Sequence, residues 1–178
     1  SWDVDRLVAE ALRRVMKVSG FADPVPSDIL KKYRLVDRSA AYKGIHRPDS
    51  MSEVAEARRR LVFDELFRIQ LELLQRKKII EKTLNKNKPK HIVSINLKRK
   101  TSIADYMIIA SGTSSRHLQS LSEILVAELK KLGVEGWRIE GKDSKDWKLV
   151  DAHDVIVHIF HPEKREFYDL EKMWSEEI

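Results

Sequence analysis

The sequence contains no cysteine, which excludes disulfides and thiolate metal sites and is in keeping with a reducing interior. It has no apolar run near the roughly 18 residues that a membrane helix needs. Its longest apolar stretches are four or five residues, such as Met107 to Ala110. No Gly-x-x-x-x-Gly-Lys-Ser/Thr is present to cradle a triphosphate, and no Gly-x-Ser-x-Gly elbow to raise a hydrolytic serine. There is no initiating Met, and Ser1-Trp2-Asp3 has none of the basic and apolar regions of a signal peptide, so it reads as a processed or cut start. Neither Gly nor Pro occurs between Asp49 and Pro89. Nothing there interrupts a helix of up to about 35 residues, roughly 50 Å long.

What is present suffices for a core: 42 % of the 178 residues are hydrophobic and 35 % are charged. The net charge of +6 suits either a polyanionic partner or a mixed, solvated surface, because 34 basic and 28 acidic residues are interspersed. Usage changes sharply after Arg76. Residues 1–76 hold 11 Arg and 4 Lys, whereas residues 77–178 hold 4 Arg and 15 Lys; isoleucine rises from 3 to 12. The switch marks two domains, 1–76 and 77–178, of different ancestry.

The first part reads as all-helical. Val4, Leu7, Val8, Leu12 and Val15 form the stripe of one helix, which Gly20, Pro24 and Pro26 end. A short helix is expected over Ser27 to Tyr33 with Ser27 as its cap, and another over Ser39 to Gly44. Ser50-Met51-Ser52-Glu53 is a capping box opening the long helix. Along that helix Val54, Ala57, Leu61, Leu66, Ile69 and Leu73 hold one apolar face, which runs through the compositional break.

Beyond Pro89 the period changes. Strands are expected at His91 to Leu97, Tyr106 to Ser111, Val134 to Glu140, Trp147 to Asp151 and Val155 to Phe160. A helix from Ser114 to Leu132, stopped by Gly133, lies among them, and Pro162 opens a closing helix through Tyr168 toward Trp174. The fold class is α/β (α+β): a small, mixed, five-stranded sheet with packed helices, joined through the long helix to the helical segment before it.

Candidate chemistry is sparse. Gly112-Thr113-Ser114-Ser115-Arg116 can face an anion with its N–H groups or simply cap a helix. It is similar to the strand-Gly-Ser-helix entrance of nucleotidyltransferases, which need close carboxylates for two metals. Glu135 and Glu140 are five apart and point to opposite faces of a strand. No catalytic residue and no cofactor is therefore expected. An enzyme of that type is the alternative if Asp105, Asp151, Asp154, Glu135 and Glu140 converge. His153, His158 and His161 lack a fourth ligand, so no metal is expected and they read as satisfied or solvent-facing. Arg58-Arg59-Arg60 point three ways around a helix, a solvated face rather than a DNA contact. Trp147 and Leu149 share one strand face amid charges, as an interface anchor or as core.

Several stretches carry a resemblance. Ser102-Ile103-Ala104-Asp105-Tyr106, Ser111-Gly112-Thr113-Ser114-Ser115-Arg116-His117, Trp147-Lys148-Leu149-Val150-Asp151, Asp154 to Phe160 and Arg165 to Trp174 fall in the order and spacing of the ribosomal silencing factor (Iojap-like) family. The likeness covers about residues 79–174. It implies a nucleotidyltransferase-like fold without the catalytic acids. It also implies binding to the large ribosomal subunit through its universal intersubunit-face protein, with the small subunit blocked and translation repressed. The interface would take Trp147, Leu149 and Asp151, with Arg138, Glu140 and Asp154 as electrostatic partners. Nucleic acid would be met only indirectly, no membrane is involved, a homodimer is compatible, and the setting is the bacterial cytoplasm or an organelle. Asp146, where many relatives have Gly, and His153 depart from the pattern, so a loop of different shape is expected before Trp147.

The first part resembles something else. Ile45-His46-Arg47-Pro48 and Ala57 to Leu71 are similar to the helical linker segment of RecG-type DNA helicases. The ATPase motifs and the DNA-reading wedge are missing, so no helicase activity is implied; an inert fragment of a DNA-repair helicase is the further alternative. The two resemblances together read as a chimera.

Overall fold

The structure is a computed structural model that describes residues 2–18 and 21–175 and divides into two compact units, Ser1–Gln70 and Leu71–Ile178. Gly20, expected to end the first helix, lies outside the described residues.

The first unit contains α1 (Trp2–Val15), α2 (Ser27–Tyr33), α3 (Arg38–His46) and the beginning of α4 (Met51–Lys86). The predicted stripe on α1 is present but little covered, since Val4, Leu7 and Val15 stay exposed. The cap of α2 differs from expectation. Pro26 takes the N-cap position, with extended backbone and no side-chain cap bond, so Ser27 is the first helical residue. Helix α3 begins one residue earlier and ends two later than expected because the Asp37 side chain accepts from Ala40 N. The capping box before α4 forms. Ser50 Oγ accepts from Glu53 N at 3.2 Å, while the Glu53 carboxylate reaches back to Asp49 N at 2.6 Å.

The solvated reading of Arg58-Arg59-Arg60 is corrected at Arg60, whose side chain is 0 % exposed. Its guanidinium donates to both Asp23 oxygens at 2.8 and 2.7 Å, to Asp64 at 2.8 Å and to the Val36 carbonyl at 2.8 Å. Asp23 in turn accepts from Val25 N and Arg38 N. A fork of fixed donors met by this many acceptors is the arrangement that makes a buried arginine tolerable. Arg59 is also engaged, donating to the Tyr33 carbonyl at 2.6 Å.

The second unit takes the last part of α4 and then β1 (Lys90–Asn96), β2 (Tyr106–Ser111), α5 (Ser115–Lys131), β3 (Arg138–Glu140), β4 (Trp147–Asp151), β5 (Val155–Phe160), α6 (Pro162–Tyr168) and α7 (Leu170–Ser175). The five-stranded sheet has the order β1-β2-β5-β4-β3. Strands β2 and β5 are parallel and every other pair is antiparallel, so the sheet is mixed as expected. Strand β3 is shorter than Val134 to Glu140 because Gly136, at φ 71°, still turns the chain. The closing helix breaks in two where Asp169 adopts φ 42°.

Period-two alternation gives the sheet two apolar faces. One packs Ile108, Ala110, Val150, Val155, Val157 and Ile159 against Leu118, Leu121, Leu125 and Leu129 of α5 and Leu73, Ile80 and Leu84 of α4. The other gathers Leu97, Met107, Ile109, Ile156 and Phe160 under Leu170 and Trp174 of α7, with Trp147 and Leu149 at its border. Among the described residues, no helix is long and apolar enough to cross a membrane.

Candidate functional site

Strand register decides which side chains share the second face. Trp147 pairs with Phe160, Leu149 with His158 and Asp151 with Ile156. On the far side Arg138 pairs with Asp151 and Glu140 with Leu149. In an antiparallel ladder directly opposed residues point the same way. Five of the six expected interface residues, Trp147, Leu149, Asp151, Arg138 and Glu140, therefore lie on one face of the β3–β4 edge.

Trp147 is partly buried and held from several sides. Its N–H donates to Ser144 Oγ at 3.2 Å and its indole Nε1 to His158 Nδ1 at 3.1 Å. Gly141, at φ 70°, passes so close that a Cβ there would lie 2.7 Å from the Trp147 carbonyl oxygen and 2.9 Å from its ring. His158 stacks on Phe160 with ring centroids 5.6 Å apart, and Phe160 approaches Tyr168 at 5.8 Å. Trp147, His158, Phe160, Tyr168 and Leu170 line an open, mainly apolar cavity of about 260 Å³. Beside it Phe167 is 77 % exposed. Burial lowers the His158 pKa to about 4, so the ring is neutral at pH 7. With Nδ1 accepting from the indole, Nε2 carries the proton.

Asp154 stands apart from this face. Its carboxylate pairs with Arg76 at 3.1 Å, and its carbonyl accepts from Asp105 N and Tyr106 N. Asp151 accepts from His153 N at 2.8 Å, and His153, at φ 65°, meets the Glu135 carbonyl through Nε2 at 2.6 Å. His153 and His158 thus each have a protein partner, and among the described residues no group of three or more His, Asp or Glu side chains could hold a metal. At the Gly112 segment Ser114 Oγ accepts from His117 N, and Thr113 N donates to His117 Nδ1, so the helix start is capped from within.

Sequence reasoning missed His158, Tyr168 and Leu170 as members of the site. Register against Leu149 would have exposed His158. The helix break at Asp169 that brings Tyr168 and Leu170 to the cavity has no turn-forming Gly or Pro to announce it.

The family model described as "Ribosomal silencing factor during starvation" matches residues 70–178. The chain belongs to the ribosomal silencing factor family. A silencing factor of Zymomonas mobilis is 43 % identical over 98 residues, spanning 55 % of this chain and 74 % of that protein. A crystal structure of a Chromobacterium violaceum protein, 34 % identical, superposes with a TM-score of 0.56 over 59 % of this chain and 88 % of that one. A separate likeness joins 40 % of this chain to an ATP-dependent DNA helicase RecG of Synechocystis, 40 % identical over 76 residues but only 9 % of the helicase. The silencing-factor match takes in the whole sheet, the cavity and both clusters of apolar residues.

Proposed function

We propose that the silencing-factor unit binds the large ribosomal subunit, at its universal intersubunit-face protein, and keeps the small subunit from joining, so repressing translation without catalysis. Family membership supports the ribosomal target. One observation carries the choice of surface: Trp147 and Leu149 stand side by side on a sheet face that α7 does not fully cover, beside an open apolar cavity and flanked by Arg138, Glu140 and Asp151. An aromatic anchor ringed by charges is the pattern of an interface centre. Asp154 enters as a support of the β4–β5 turn through Arg76.

In this reading the chain is a fusion of two parts, 1–76 and 77–178, the first a helical piece without helicase activity. The setting is the bacterial cytoplasm or an organelle, and a homodimer is compatible with it. The test is co-sedimentation with isolated bacterial large subunits, followed by addition of small subunits. Trp147→Ala should weaken binding about thirtyfold, the equivalent of roughly 2 kcal/mol for a central aromatic anchor. Unchanged binding by a folded variant would remove this face from the interface.

A further inference from the structure

Charge along this chain is far from even. Residues 75–104 carry ten Lys and Arg and a single acid, Glu81, a net charge of +9. The whole chain has +6, so everything outside that stretch sums to −3. The stretch lies in the second unit: the end of α4, the turn after it, β1, which is a terminal strand of the sheet, and the loop that follows β1. Its one acid is neutralised locally, since Glu81 takes Lys77 Nζ at 2.5 Å and Ser94 Oγ of β1 at 2.5 Å. That second bond also shows that α4 runs beside the middle of β1.

Lys78, Lys82, Lys86, Lys88, Lys90 and Arg99 are all exposed, and none has a carboxylate partner among the described residues. Lys78, Lys82 and Lys86 are four residues apart on α4, and so follow one another with a rise of about 6 Å per step. Lys88 and Lys90 follow in the turn and at the head of β1. The last turn of a helix favours cations on its own account. That reason covers Lys86 and not Lys78 or Lys82, two and one turns earlier.

We infer that this edge is a second contact surface, one that takes an RNA phosphate backbone. The choice of RNA over other polyanions rests on the proposed ribosomal function; the basic row itself does not. The row is spaced like a backbone rather than a point site, and its cations are free to exchange counterions for phosphates. Its position also fits a bound factor with two contacts. The sheet order puts β1 about 14 Å from β4 and about 19 Å from the opposite edge strand β3. Helix α4 packs on the sheet face opposite Trp147, so the Trp147 face and the basic row do not overlap. Direct contact with nucleic acid is then expected, where resemblance alone implies an indirect one.

The full chain is titrated onto a short fluorescein-labelled RNA stem-loop, read by anisotropy from about 0.05 to 0.3 M KCl. The variant Lys78→Glu/Lys82→Glu/Lys86→Glu changes exposed helical positions only, and circular dichroism checks its fold. It should bind at least tenfold more weakly, with a salt slope shallower by about 2, near 0.7 for each lost phosphate contact. The scattered control Lys17→Glu/Lys131→Glu/Lys164→Glu, of equal net charge, should bind as the parent does. Equal weakening by the control, no effect of the row variant, or binding to phosphatidylglycerol vesicles with no binding to RNA would each overturn the inference. Trp147→Ala should leave the RNA titration unchanged while weakening binding to the large subunit. If the parent chain does not co-sediment with large subunits and the RNA titration still responds to the row, the ribosomal reading falls and the RNA surface stands.

Discussion

Acidification should loosen the silencing-factor unit through one side chain, His158. Its ring lies between Phe160 and Trp147, accepts the indole proton at Nδ1, and has its pKa lowered by burial to about 4. In the unfolded chain the same ring titrates near 6.5. Below that value the unfolded state binds the extra proton first, so stability falls as pH falls and the loss is complete only below about 4. Linkage over the interval from pH 7 to pH 5 gives a loss of about 2 kcal/mol from this group alone. Protonation also removes the acceptor for Trp147 Nε1, so the anchor loosens with it. The comparison that isolates the effect is His158→Gln, which keeps an acceptor and cannot titrate. Urea unfolding of both proteins at pH 7, 6 and 5, followed by tryptophan fluorescence, should show the wild type losing about 2 kcal/mol more than the variant. Parallel pH profiles would refute the reasoning, because the decline would then belong to other groups.

Two further substitutions probe the two units. Arg60→Ala leaves Asp23 with no cation in a partly buried site and should cost the helical unit about 3–5 kcal/mol, read as an earlier urea transition in circular dichroism; an unshifted transition refutes it. Gly141→Ala combines a φ of +70° with a Cβ 2.7 Å from the Trp147 carbonyl oxygen, so it should cost about 2 kcal/mol or more and weaken large-subunit binding. Gly133→Ala, at φ +68° with nothing near the new Cβ, is its control and should cost only about 1 kcal/mol without touching binding.

Much of the fold was legible because periodicity and caps agree. Five strands appear in the expected order, with β3 cut to three residues, and α5 with its Gly133 stop and an uninterrupted α4 appear where the pattern put them. What was not legible depends on long-range partners. Arg60 looks like its exposed neighbour Arg58 until Asp23, thirty-seven residues away, closes on it. The exposure of Leu66 and Ile69 on α4 is equally invisible to a pattern that treats every apolar residue on the face as buried. The break at Asp169 uses a left-handed aspartate, a backbone state that composition hardly signals.

Strand β4 shows why the site itself was only half readable. Trp-Lys-Leu-Val-Asp invites the assignment of Trp147 and Leu149 to the interior and Lys148 to solvent. The register gives the reverse for the lysine. Lys148 is 2 % exposed, on the face that α5 covers, and its Nζ donates to the Lys142 carbonyl. A cation placed there costs more than an apolar residue would, unless the strand is held in this register for what its other face presents. That other face carries a tryptophan and a leucine that stay partly exposed; α7 packs against β1, and Arg138 and Glu140 of β3 are exposed at the border. Local rules are broken on β4 twice, once on each face, and a sequence retains such breaks where function compensates for them. On the proposed function, a partner on the Trp147 face would cover the tryptophan and leucine that the fold leaves partly open there.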